Sequence, residues 1–350
     1  MSERTADIVD GVESHIEEAL ALANSGEAEV EAASIEEAAP KETVPVAAEE
    51  PPAGFRDLPF IGSRPPGYSP DPLRLPLTEK TRTDVVIPDI ALDGAHYGSL
   101  VVRGVSVKGD SHRYQGEQRQ DAMSLSRIGE GRDELLFLAV ADGVGSAAKS
   151  HLGSHRACRL ASLEVEKSQA VLWAALRAED REALDRELGR VVAQVSRDLV
   201  RYADPGSPKA YATTLRCLLV PTSPEHRERV FFAVGDGGFF RARTESWQNL
   251  EGPVGGLSPD GVIDTRTAAL PSEDPKVEVQ LLKTEPGDVL MICTDGLSGP
   301  MNDPQVQGFL AQEWAFGRIP GLTEFLWQSQ VRAKSYDDDR SVICLWEVRP

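Results

Sequence analysis

The chain has 350 residues and a formal net charge of −19, from 37 basic and 56 acidic side chains. That is room for one large domain or two ordinary ones with an ample core, and a charge that argues against nucleic acid or an anionic membrane as a partner, because both repel it. Cys158, Cys217, Cys293 and Cys344 are widely spaced with no CxxC pair, which suggests reduced, buried thiols more than disulfides or a zinc site.

The N-terminus lacks a basic start followed by an apolar stretch, and no run approaches the roughly 18 apolar residues of a membrane helix. A soluble, cytoplasmic protein is therefore expected. Residues 1–50 hold 14 acidic side chains against Arg4 and Lys41 and have few large apolar residues. Such a stretch does not bury enough surface to offset chain entropy, so an acidic disordered tail is expected, with at most a transient helix near Val9 to Ala23. Residues 51–95 read as a proline-rich linker, with Pro51, Pro52, Pro59, Pro65, Pro66, Pro70, Pro72 and Pro76 favouring an extended spacer. The folded domain is expected over 96–350.

Within it, Ser99 to Val107 reads as a strand and Lys108 to Gln120 as a charged, glycine-bearing loop. Glu134 to Ala141 is apolar enough for a strand buried on both faces, ending abruptly at Asp142-Gly143-Val144-Gly145. A carboxylate beside so much hydrocarbon is costly unless a positive charge meets it, and a divalent cation is the usual partner. A plain strand-to-turn transition is the alternative for an Asp-Gly pair. Ala147 to Gln169 and Asp180 to Tyr202 follow as helices; in the second, Leu184, Leu188, Val191, Val192, Val195 and Leu199 mark one face. His151 and His155, four apart, form a weak metal-binding candidate pair that lacks the Glu of a metalloprotease motif.

The second half is rich in strands. Ala212 to Val220, Arg229 to Val234 and Phe239 to Arg243 are expected as neighbours, the last two as a tight hairpin across Gly235-Asp236-Gly237-Gly238. Val277 to Lys283 and Asp288 to Thr294 suggest another pair. Helices near Pro304 to Trp314 and Gly321 to Lys334 precede Asp337-Asp338-Asp339-Arg340 and a last strand, Ser341 to Val348. Strands interleaved with paired helices, without βα alternation, suggest antiparallel sheets covered by helices.

Six short motifs then stand in a telling order: Gln120-Asp121-Ala122, Val140-Ala141-Asp142-Gly143-Val144-Gly145, Ala212-Thr213-Thr214, Val234-Gly235-Asp236-Gly237, Gly287-Asp288-Val289 through Thr294-Asp295-Gly296-Leu297, and Asp338-Asp339-Arg340-Ser341-Val342. Together, over about residues 98–348, they resemble the metal-dependent serine/threonine protein phosphatases of type 2C in their bacterial form. The resemblance implies an α+β fold, a four-layer αββα sandwich of two antiparallel sheets packed face to face with helices on both outer faces. It also implies hydrolysis of phosphoserine or phosphothreonine esters by a water activated between two Mn²⁺ or Mg²⁺ ions, with a third, weaker metal position. Asp142 matches the aspartate that bridges the two ions, and the carbonyl of Gly143 a backbone ligand. Asp295 and Asp339 match the carboxylates completing the second ion. Asp121 would hold the water, and Asp236 would line the third position. The implied partner is a phosphorylated protein, the substrate of a bacterial kinase or the kinase itself.

Departures from the family pattern matter too. Gln120 stands where an acid is frequent, so it would face the ions through its carbonyl without charge. Gly116 stands at the usual spacing of the phosphate-gripping arginine, leaving His112, Arg113 and Arg119 as candidates, with Arg113 preferred. Arg340 replaces a frequent asparagine and sets a cation beside Asp339, either to compete with metal or to serve phosphate. The alternatives to an active phosphatase are a catalytically silent relative that binds phosphorylated partners, and a regulatory scaffold whose domain binds Mg²⁺ or Ca²⁺ only for stability.

Overall fold

The protein is described as a computed structural model, over residues 60–62, 87–203, 206–243, 246–251, 268–315, 317–333 and 336–348. Every described residue lies in one compact unit, within residues 56–350. The expected acidic tail, its transient helix and most of the proline-rich stretch lie outside the described residues.

The strands are β1 (Phe60–Ile61), β2 (Ile90–Tyr97), β3 (Leu100–Val107), β4 (Ala122–Ile128), β5 (Leu135–Ala141), β6 (Leu215–Pro221), β7 (Glu228–Val234), β8 (Gly238–Ala242), β9 (Trp247–Asn249), β10 (Glu278–Lys283), β11 (Val289–Cys293), β12 (Arg332–Ala333) and β13 (Arg340–Glu347). The helices are α1 (Asp110–Gln115), α2 (Ser150–Lys167), α3 (Gln169–Arg177), α4 (Arg181–Tyr202), α5 (Asp295–Ser298), α6 (Pro304–Trp314) and α7 (Leu322–Ser329). Among the described residues, the strands form a five-stranded antiparallel sheet in the order β10-β7-β6-β5-β4, a six-stranded one in the order β2-β3-β13-β11-β8-β9, and a small β1-β12 pair.

Side-chain alternation along each strand explains the layering. On β5, Leu136, Leu138 and Val140 join Leu290, Ile292, Ile343 and Leu345 of the other sheet in the core between the sheets. Leu135, Phe137, Ala139 and Ala141 face the opposite way, into a cluster with α2, α3 and α4. The six-stranded sheet likewise turns Met291, Cys293, Val342 and Cys344 toward α6 and α7. The fold is therefore an α+β sandwich, two antiparallel sheets face to face with helices outside. On α4 the expected stripe from Leu184 to Leu199 is fully buried. Its start is capped by Asp180, whose carboxylate accepts the Ala183 amide at 3.0 Å. All four cysteines are buried and free.

Several local expectations are corrected. β7 and β8 do not pair: β7 lies between β6 and β10, and β8 between β11 and β9. Residues 235–237 carry the chain from one sheet to the other, and Phe231 and Phe239 stack across the gap at 4.3 Å. The same holds for β10 and β11, which join opposite sheets. The turn signals were real, but β7 and β11 are buried along nearly their whole length, so their pattern does not say which neighbour each takes. The stretch 108–120 contains α1, closed by Gly116 in the left-handed conformation at φ 72°. Strand β2 begins at Ile90, inside the stretch expected as linker, and β1 pairs with β12 in parallel.

Candidate functional site

Asp142 follows β5 directly. Continuing the alternation of Leu136, Leu138 and Val140 brings it to the rim of the space between the sheets. Its backbone is clamped by the start of β6: its amide donates to the Thr214 hydroxyl at 2.9 Å. Its carbonyl accepts the Thr214 amide and the Thr213 hydroxyl, both at 2.8 Å. The Ala-Thr-Thr motif thus has a physical role, tying the exit of one strand to the entry of the next.

Beside it opens a cleft of about 340 Å³ lined by Asp236, Asp295, Asp337, Asp338, Phe240 and Tyr336, among others. Asp236 comes from the turn between the sheets, Asp295 from the first position of α5, and Asp338 from the turn before β13. Burial, then the charges of Asp295, Asp338 and Asp236, push the Asp142 carboxyl up to about 8. Burial, then Asp338 and Asp236, push Asp295 to about 6. Asp121 is driven upward by burial and by the charges of Asp142 and Asp339. One of its oxygens accepts the Thr294 hydroxyl at 2.7 Å; the other, Oδ1, is buried without a hydrogen-bond partner among the described residues. The site is thus short of positive charge.

The expectation for Asp339 is corrected by one residue. Its side chain is 1% exposed and accepts the amides of Gly109 at 2.7 Å, Gln120 and Asp121. The His112 Nδ1 lies 3.0 Å away. Asp338, in the bend before β13, lines the cleft, whereas the Asp339 side chain is taken up by these amides. The close approach that permits this needs a glycine: a Cβ on Gly296 would lie 1.9 Å from the Asp339 carbonyl oxygen. His112, Asp338 and Asp339 are the one trio of such donors within 4.8 Å among the described residues. Burial opposes the charge on His112, but its contact with Asp339 and the charges of Asp339, Asp338 and Glu117 raise it to about 9. In this arrangement the His112 ring pairs with the carboxylates of Asp339 and Asp338.

Other sequence candidates are engaged elsewhere. Gln120 does not face the acidic cleft: its Oε1 accepts from the Ser150 hydroxyl at 2.8 Å and its Nε2 lies 3.2 Å from His112. Arg113 donates to the Lys108 carbonyl at 2.8 Å and pairs with Asp110 at 3.4 Å. Arg340 neither competes with metal nor reaches the cleft; it is buried on the carbonyls of Gly296, Ser329 and Val331. Arg119 is fully buried. His155 is lowered to about 4 by burial and by the Arg119 and His151 charges, and neither imidazole belongs to a donor cluster among the described residues. Gly143 is wedged where a Cβ would sit 2.8 Å from the Gln120 carbonyl. Sequence reasoning missed Asp338 as the cleft residue, although it stands in the same acidic run, and gave no role to Thr294.

With this geometry established, comparison with known proteins is informative. A family model described as Protein phosphatase 2C matches residues 108–327, well over half of the chain. The chain belongs to the protein phosphatase 2C family. Among solved structures, it is similar to a bacterial serine phosphatase carrying a point substitution, at 16% identity and a TM-score of 0.50, covering 72% of this chain and 99% of that one. It is also similar to the Mycobacterium tuberculosis serine/threonine phosphatase PstP/Ppp, at 17% identity and a TM-score of 0.45, covering 71% and 99%. No curated protein sequence matches significantly. At such identities the structural likeness concerns the fold.

Phosphatases of the 2C family depend on metal, and the donor set here fits a hard divalent cation. Carboxylate and carbonyl oxygens suit Mg²⁺ and Mn²⁺, the raised Asp142 and Asp295 mark a deficit of positive charge, and the buried Oδ1 of Asp121 awaits a partner.

Proposed function

We propose that this 2C-family protein is a metal-dependent serine/threonine phosphoprotein phosphatase that uses a binuclear Mn²⁺ or Mg²⁺ centre. The observation that carries the proposal is the convergence of Asp236, Asp295 and Asp338 on one cleft, with Asp142 near enough to feel the charges of all three. Asp142, the Gly143 carbonyl, Asp295 and Asp338 are the residues assigned to the two ions, and Asp236 with Asp295 to a weaker third position. Bound there, the ions supply Lewis acidity that makes water a nucleophile near neutral pH and offsets charge on the phosphoryl oxygens.

The chain's own residues do the rest. Asp121, anchored through Thr294, offers its second oxygen to orient the attacking water. Thr213 and Thr214 keep Asp142 in register. The open cleft beside the acids accommodates the polypeptide around a phosphoserine or phosphothreonine, the phosphorylated product of a kinase.

One observation favours a second function, a catalytically silent phosphatase fold that would bind phosphorylated partners only through bound cations: no Arg or Lys is among the described residues lining the cleft. The deciding assay is release of phosphate from p-nitrophenyl phosphate and from phosphoserine peptides by the purified chain, with and without Mn²⁺. Mn²⁺-dependent turnover supports the phosphatase; retention on a phosphopeptide column without turnover supports the silent binder.

A further inference from the structure

Arg216 is a buried cation with no place in the chemistry described so far. It lies at the start of β6, on the face that continues through Leu218 and Val220 into the core between the sheets, and it is 1% exposed. A charge in such a place costs several kcal/mol unless it is fully paired, and an apolar residue of similar volume would pack there at no such cost. One of its contacts is the turn that carries Asp236. Nη1 donates to the Gly235 carbonyl at 3.0 Å, Nη2 pairs with Glu251, and the guanidinium lies over the Phe231 ring at 5.3 Å.

The turn rests directly on this side chain. Gly237 has φ +133°, and a Cβ there would come 2.6 Å from Arg216 Cδ and 2.6 Å from the Cys293 carbonyl oxygen. Asp236 is therefore flanked on one side by a carbonyl that Arg216 holds and on the other by a glycine seated on the Arg216 stem. Two residues earlier on the same segment, Thr214 clamps Asp142. Thr214 and Arg216 thus hold the backbone at Asp142 and beside Asp236, and Asp236 in turn acts on Asp142 and Asp295 by charge.

We infer that Arg216, braced by Glu251, is a positioning residue for Asp236 and sets how strongly the Asp236–Asp295 side of the cleft takes a divalent cation. This rests on the metal-binding function proposed above. Partners behind a ligand typically change metal affinity about 10–100-fold when removed.

The test is calorimetric titration of the full chain with MnCl₂, beside thermal melts, for wild type, Arg216→Lys and Glu251→Gln. Lysine keeps the charge but lacks the planar fork that reaches both Gly235 and Glu251; Gln at 251 keeps the shape and removes the anchoring charge. Both are expected to weaken the lower-affinity class of Mn²⁺ binding about tenfold and leave the tighter class unchanged. Should Arg216→Lys fail to fold, Glu251→Gln decides. Lowered melting temperatures with unchanged isotherms would overturn the inference and make the pair merely structural. A wild-type chain that takes up no Mn²⁺ would overturn the proposed function and this inference with it.

Discussion

Asp142 and Thr214 hold each other by a reciprocal pair of hydrogen bonds, amide to hydroxyl at 2.9 Å and amide to carbonyl at 2.8 Å. The pair joins β5 to the residue before β6 where the strands leave the core, so the backbone from which the Asp142 carboxylate projects is fixed. Replacing Thr214 by Val keeps the shape and leaves the Asp142 amide without its acceptor, which costs about 1–3 kcal/mol for a buried donor. Urea denaturation should register that loss, together with reduced Mn²⁺-dependent phosphate release, and Thr214→Ser should restore both.

Asp338 and Asp339 are adjacent but have different tasks, and substitution separates them. Asp338→Asn, Asp142→Asn and Asp295→Asn each remove charge from the cleft without emptying the core, and are expected to abolish Mn²⁺-dependent phosphate release in a folded protein. Asp339→Ala strands three amides and the His112 cation. It should lower stability by about 3–5 kcal/mol, the usual cost of breaking a buried pair. An Asp338→Asn protein with full activity would return the metal role to Asp339.

Gln120→Glu is a control on the same region. Because the Gln120 amide bridges Ser150 and His112, a carboxylate there gains the His112 cation instead of facing the cleft. Mn²⁺ affinity should change by less than the about 10–100-fold typical of a partner directly behind a ligand. The His112 ring should titrate higher by NMR. A large gain in metal affinity would show that residue 120 turns toward the ions.

The acids of the cleft also predict a pH dependence. Asp142, at about 8, and Asp295, at about 6, both lie above the unfolded carboxylate value of about 3.9. The native state therefore holds more protons than the unfolded one, and stability present at low pH is lost as pH rises through about 6 and then about 8. The metal-free protein should melt at progressively lower temperature across that window. Mn²⁺ should flatten the profile and, at pH 7, displace protons from Asp142, visible as a binding enthalpy that varies with the buffer. A flat metal-free profile would contradict the crowding of these carboxylates.

What the sequence determined by itself was local and periodic. The apolar runs ending in Asp142 and Asp295, the α4 stripe, and the ordered Thr-Thr and Gly-Asp-Gly motifs each depend on neighbours within a few residues, and they led to the family and to an antiparallel sandwich. Only the tertiary structure decided which strands pair. A strand apolar on both faces, such as β7 or β11, satisfies its own pattern beside any partner, and the choice between sheets belongs to the long-range core around Phe231, Phe239, Leu290 and Ile343. It also decided between Asp338 and Asp339. The three aspartates lie in a bend before β13, so composition leaves the facing residue open until β13 is registered against β3 and β11. The role of Arg216 was hidden for the same reason: its partners, Gly235 and Glu251, are set by the crossing between sheets, which has no signature in local spacing.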